Sequence, residues 1–225
     1  ERERARGVSV RIDVRSTQRA TLVPKYVPWH ARGDYFATVC PDTSGEAVLI
    51  HQISKQRSQA PFRRTRKAGT SAMAVQCVCF HPTRPWLFVA TQRYVRIYDL
   101  VQQALVKTLQ PGVRWISSLD VHPSGDHVIL GSYDRRVQWF DLDLAERPYK
   151  TLRYHTRAVR AVAFHPHLPL FASAADDGTV HVYHATVYSD LLQNALLVPL
   201  KLLRGHAVQH ALGVHSLARH PSRPG

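Results

Sequence analysis

At 225 residues, with 44% hydrophobic and 20% charged side chains, the chain has the make-up of a globular protein able to bury a real core. Its longest apolar stretch, Ala195 to Leu203, is broken by Pro199 and Lys201 and falls well short of the roughly 20 apolar residues of a membrane helix. Lys and Arg number 30 against 16 Asp and Glu, and the resulting charge of +14 favours polyanions such as nucleic acid or acidic protein tails. The opening Glu1-Arg2-Glu3-Arg4 lacks the apolar run of a signal peptide, and the missing initiator Met points to a start inside a longer protein. Val8 to Val14 reads as a strand, the outer strand of a preceding unit. Around it Arg2, Arg4, Arg6, Arg11, Arg15 and Arg19 alternate with Glu1, Glu3 and Asp13, as on a solvated edge.

From Trp29 onward one pattern recurs. Trp29-His30 leads to Tyr35-Phe36-Ala37-Thr38-Val39 and then Val48 to Ile53. Phe80-His81-Pro82 leads through Trp86 to Ala90 and on to Val95-Arg96-Ile97-Tyr98-Asp99-Leu100. Val121-His122-Pro123 leads to His127 to Ser132 and then Val137 to Leu142, and Phe164-His165-Pro166 leads to Leu170 to Ser173 and then Thr179 to His184. A last copy opens at His220-Pro221. Pro presets φ and Gly permits positive φ, so His-Pro followed by Ser124-Gly125-Asp126 or Thr83-Arg84-Pro85 reads as a turn. The runs between turns are short and rich in Val, Ile, Phe, Tyr and Trp, as strands are. Periods of about 40 to 45 residues mark β-propellers. The expectation is an all-β, WD40-type propeller covering 1–225 as one region, with blades near 20–75, 76–115, 116–158 and 159–210 and a further blade beginning at 211–225. Four blades and fragments make a partial ring of seven. Val187 to Asn194 breaks the rhythm as an inserted loop or short helical turn before a strand from Val198 to Leu203.

The copies resemble WD repeats. Asp134 and Asp177 stand at the family's turn-aspartate position, and His155 and His206 at its Gly-His position. Asp99 and Asp141 stand for the Asp of the Trp-Asp ending, with Tyr98 and Phe140 in place of Trp. The resemblance implies that Asp134, His155, Ser173, Asp177 and His206 belong to cross-strand hydrogen-bond networks that lock the turns. This also accounts for a tempting Ser/His/Asp set, because the spacing recurs from blade to blade and a single active site would not. No Gly-rich phosphate loop, metal-ligand cluster or nucleophile elbow appears, so neither catalysis nor a cofactor nor a metal is expected.

Several segments are more particular. His51 to Arg64, Gly131-Ser132-Tyr133-Asp134, Trp139 to Leu144, Pro148-Tyr149-Lys150 and above all Val187 to Asn194 with Leu196-Leu197-Val198-Pro199 are similar to the block-of-proliferation family of WD-repeat ribosome-biogenesis proteins. The resemblance implies a nucleolar and nucleoplasmic scaffold. It would support processing of the large-subunit precursor that yields 5.8S and 25S/28S rRNA, alongside Pescadillo and a second WD-repeat protein. It implies no membrane and no small-molecule substrate. A WD-repeat substrate receptor of a ubiquitin ligase is the alternative, but that signature wants Arg or Lys two residues after the blade-ending Asp. Val101 and Asp143 stand there instead.

No acidic residue occurs between Glu46 and Asp99, whereas Lys55, Arg57, Arg63, Arg64, Arg66 and Lys67 cluster there in a polar, aperiodic stretch. These six are the candidate RNA-binding residues, since a basic loop can displace counterions from phosphates. A solvated loop and a nuclear-import signal stand beside that reading. Tyr94, Trp115 and Trp139 could stack on bases, but their strand-like settings favour core packing. Cys40, Cys77 and Cys79 are odd in number, which argues for a reducing compartment and buried thiols.

Overall fold

The computed structural model describes residues 27–30, 32–39, 48–61, 75–187 and 195–218. Among these, all regular structure is antiparallel β, and no helix is long and apolar enough to cross a membrane. The first sheet holds β1 (Tyr35–Val39), β2 (Val48–Gln52) and β3 (Arg57–Gln59). The second runs in order β4 (Cys77–Phe80), β5 (Trp86–Ala90), β6 (Val95–Asp99) and β7 (Ala104–Leu109). The third repeats the meander with β8 (Ile116–Val121), β9 (His127–Ser132), β10 (Val137–Asp141) and β11 (Lys150–Leu152). In the fourth sheet lie β12 (Val159–Phe164), β13 (Leu170–Ala175), β14 (Thr179–Thr186) and β15 (Leu196–Arg204). This is an all-β partial propeller.

The packing explains why so many strands lack a polar face. Successive side chains on a strand point to opposite sides of its sheet. On β9, Val128 and Leu130 join β5, β6 and Phe140 in the core between the second and third sheets, while Ile129 joins Trp139, Phe164, Phe171 and Tyr183 between the third and fourth. A third core packs Ala37, Val39 and Ile50 of the first sheet against Val78, Leu87 and Val89 of the second. A sheet sandwiched on both sides must be apolar on both, so all six residues of β9 are buried. Val214 and the half-buried Leu217 cover the far face of the fourth sheet over Ala174 and Val180.

The first strands of the second, third and fourth sheets neighbour one another in turn, and two of them are tied side by side. The amide of Val162 on β12 donates to Ser118 Oγ of β8 at 3.3 Å, and that of Phe164 to Asp120 Oδ2 at 2.8 Å. Gly131 sits where these sheets approach closely. A Cβ there would sit 2.9 Å from Val159 Cγ1, so Gly131→Ala is expected to destabilise by about 1–3 kcal/mol through overpacking, read as a lowered urea midpoint.

Cys77 is buried and Cys79 half-buried, as strand alternation places them. Val8 to Val14, Cys40, residues 188–194 and His220 lie outside the described residues. Trp139 is a core residue at 1% exposure, but Tyr94 and Trp115 are 39% and 42% exposed, against the expectation of core packing. Each sits next to a turn at a strand's end, where the sheet-to-sheet core has run out.

Candidate functional site

Antiparallel meanders have two rims. At one rim lie the His-Pro turns, and with them the β2–β3, β6–β7 and β10–β11 turns. At the other lie the β5–β6, β9–β10 and β13–β14 turns, the last two carrying the turn aspartates Asp134 and Asp177, together with the connections from one sheet to the next.

The His-Pro rim is built by its imidazoles. His81 Nδ1 accepts the amides of Thr83 and Arg84 at 3.1 and 2.9 Å, and His165 Nδ1 those of His167 and Leu168 at 3.1 and 2.8 Å. His122 Nδ1 accepts the Ser124 amide at 3.1 Å, and His30 the Arg32 amide at 3.2 Å. Each histidine thus caps its own turn in the manner of an Asx side chain, and only a neutral ring can accept there. At the same rim Asp99 Oδ1 accepts the amides of Val101 and Gln102 at 2.8 Å, and Asp141 those of Asp143 and Leu144 at 2.9 and 3.3 Å. The hydrogen bonds to Gln102, Val101 and Trp86 hold the Asp99 carboxyl below its ordinary pKa against the opposing effect of burial.

At the aspartate rim the fourth sheet holds a complete network. His155 Nδ1 meets Asp177 at 3.1 and 3.4 Å, and its Nε2 takes the Ser173 hydroxyl at 2.7 Å. Asp177 also accepts the Thr156 amide at 2.9 Å, the Thr179 hydroxyl at 2.6 Å and the Thr179 amide at 3.0 Å. Tyr183, standing where Trp would, brings its hydroxyl within 3.5 Å of Ser173 Oγ. Burial alone would raise the Asp177 carboxyl. The Thr179 hydroxyl, the two Thr amides and His155 outweigh it and bring the pKa down to about 2. Burial keeps His155 below its ordinary value, so it stays neutral and can accept from Ser173. Ser173 is fully buried, which closes Oγ to any incoming acyl group. Asp177→Ala would strand these donors and is expected to destabilise by about 2–3 kcal/mol in urea unfolding, with Asp177→Asn losing less because it keeps an acceptor. Equal losses for the two would refute the role given to that oxygen.

The third sheet carries a reduced version. Asp134 Oδ2 accepts the Arg114 amide at 2.6 Å and Ser132 Oγ donates to the Arg136 carbonyl at 3.3 Å. Buried Val113 and Phe140 stand where His and Trp would, so apolar packing replaces the polar bridge. His206 is exposed.

Of the six basic candidates, Lys55 and Arg57 lie exposed on the β2–β3 hairpin at the His-Pro rim. Arg63, Arg64, Arg66 and Lys67 lie outside the described residues. Other arginines, dispersed in the sequence, come together at the opposite rim. Arg93, Arg114, Arg135 and Arg157 are exposed there, with Arg136 and Arg160 half-buried. The signal was present in the copies, since the residue two before the third strand is Arg93 in one sheet and Arg135 in the next.

Among the described residues no group of His, Cys, Asp and Glu could hold a metal. The family description "WD domain, G-beta repeat" matches residues 62–99, 104–141 and 146–184, together about half of the chain. The chain belongs to the WD-repeat family. Each matched stretch is offset from the sheets: residues 104–141 begin with β7, the outer strand of the second sheet, and end with the third strand of the next. Across all of its length this WD-repeat chain is 84% identical to the ribosome biogenesis protein ERB1 of Malassezia globosa and spans 26% of that protein. It is 60% identical to ribosome biogenesis protein erb1 of Schizosaccharomyces pombe over 88% of the chain and 26% of the relative. To ribosome biogenesis protein BOP1 of Rattus norvegicus it is 54% identical over its whole length and 29% of the relative. These matches bear out the resemblance to the block-of-proliferation family, and the chain spans about a quarter of the length of the curated relatives it matches.

Proposed function

We propose that this chain is the partial propeller of a non-catalytic ribosome-biogenesis scaffold, one that binds precursor rRNA and assembly factors during large-subunit maturation. The observation that carries the reading is the identity of 54% to 84% with proteins named for ribosome biogenesis. Its charge of +14 suits a partner made of RNA, and the burial of Ser173 and His155 speaks for a structural use. Work in the nucleolus and nucleoplasm, within a complex containing Pescadillo and a second WD-repeat protein, follows from the family resemblance.

Salt-dependent RNA affinity is the test. A basic stretch of four residues contributes about 0.7 to the log–log salt slope for each phosphate it neutralises on a single strand. Changing Arg63, Arg64, Arg66 and Lys67 together to Glu is expected to weaken RNA binding about tenfold or more at low salt and to flatten that slope. Unchanged affinity would remove these four residues from the interface. Recovery of ligase adaptors in place of pre-ribosomal proteins in a pull-down would overturn the scaffold reading itself.

A further inference from the structure

We propose that the aspartate rim of the second and third sheets is a docking site for unpaired nucleotides of RNA, with Trp115 as the stacking platform and Arg93, Arg114 and Arg135 as phosphate contacts. This rests on the rRNA-binding reading above and names where such a strand would lie.

Trp115 is a large aromatic ring held outside the core. It stands edge-on to Tyr133, with ring centres 5.9 Å apart and planes at 88°. Tyr133 is itself fixed: Arg160 stacks over its ring at 4.8 Å and its Nη1 donates to the Tyr133 hydroxyl at 3.2 Å. Arg160 is in turn clamped to Asp176 at 2.7 Å, next to the bulge where β12 slips against β13. The platform therefore loses little freedom when a base lands on it. The Ile116 amide donates to the Gln92 carbonyl at 2.9 Å, which brings the Arg93-Tyr94 turn of one sheet beside Arg114-Trp115 of the next. Two exposed aromatics thus lie among exposed arginines.

The acids of this rim are already committed. Asp134 takes the Arg114 amide, Asp176 pairs with Arg160, and Asp177 serves its network. The outward charge left is positive. Beside Trp115 a cleft of about 460 Å³ is lined by Gly112, Arg114, Tyr133, Asp134, Arg135 and Arg136, with no aliphatic side chain among them. Such a lining suits a sugar–phosphate backbone and gives an apolar peptide anchor nothing to fill. Aromatic rings accept any unpaired base, whereas bases inside an RNA duplex do not present their faces.

The test uses the full chain with a labelled oligouridylate of about twelve nucleotides, an RNA duplex of the same length and polyglutamate. Trp115→Ala is expected to weaken single-strand binding roughly tenfold, within the range of one lost base stack. Duplex affinity should hold, and Trp115→Phe should recover most of the loss. Arg114→Glu with Arg135→Glu should lower the salt slope by about 1.4, two contacts' worth. Single-strand affinity unmoved by Trp115→Ala overturns this site and leaves RNA binding standing. A wild-type chain that binds neither RNA at low salt overturns the rRNA reading as well. Polyglutamate bound as tightly and lost in the same variants would make this rim a protein-binding surface and overturn the proposal.

Discussion

Replacing Trp139 with alanine is expected to destabilise the protein by about 3–5 kcal/mol, the range for truncating a large buried aromatic. Trp139 is 1% exposed and belongs to the core that joins the third sheet to the fourth. Its ring meets Phe164 edge-on at 5.3 Å, lies 5.8 Å from Phe171, and its Nε1 donates to His127 Nδ1 at 3.3 Å. Truncation would therefore open a cavity between two sheets and orphan a buried imidazole. For a chain of this size each kcal/mol moves the melting temperature by about 2–4 °C, so a fall of roughly 10 °C is the expected reading. Trp115→Ala, at the exposed rim, should stay within about 0.5 kcal/mol. A loss below about 1 kcal/mol at Trp139 would show that the two sheets do not depend on each other's packing.

Stability is expected to fall steeply as pH drops from about 6.5 towards 4, with the loss beginning well above the range where carboxylates titrate. The cause is a set of histidines that the fold needs uncharged. Burial takes His122 down to about 4, helped by the nearby His127. Burial likewise lowers His30, His51, His81, His127, His155 and His181. The sign follows from linkage: the unfolded chain binds a proton at each site near pH 6.5, while the folded chain resists until lower pH. Stability is then fully present above 6.5 and drains away as pH falls through the folded value. For half-buried His122 alone this is about 2 kcal/mol after allowing for solvent screening. Protonation also turns the Nδ1 acceptors of the His-Pro turns into donors facing amide N–H groups. Urea midpoints measured from pH 7.5 to 4 test this, and His122→Asn should flatten the curve. A wild-type midpoint constant down to pH 5 would contradict the assignment of neutral capping rings.

Much of the architecture was legible in the sequence because a propeller blade writes itself as repetition. Short strands at regular intervals, wholly apolar where two neighbours cover them, betray the sheets in the sequence itself. The turn network was legible in part. His155, Ser173 and Asp177 meet as the repeat pattern implies, but in the preceding copy Val113 and Phe140 show that a repeat can keep its turn aspartate and drop the polar bridge. The His-Pro pairs were read through proline's φ, yet the histidine ring supplies the cap. Ring orientation is a property of the closed turn and leaves no mark in spacing. Trp115 and Tyr94 misled for a related reason. They sit just ahead of a strand's first residue, and whether a side chain there turns inward depends on the next sheet, which local pattern does not encode. The rim arginines escaped notice because tertiary stacking, not sequence proximity, gathers them.

The stagger between the matched stretches and the sheets has a practical side for anyone cutting or recombining this protein. A boundary drawn where the homology ends, after residue 141, would sever β11 from the meander it completes and bare the free backbone of β10, a ready template for strand exchange with another molecule. A cleaner join is the connection that follows β11, because it leaves every hydrogen-bonded ladder whole. The heritable module and the cooperative module in this chain are therefore different lengths of polypeptide, one strand out of phase.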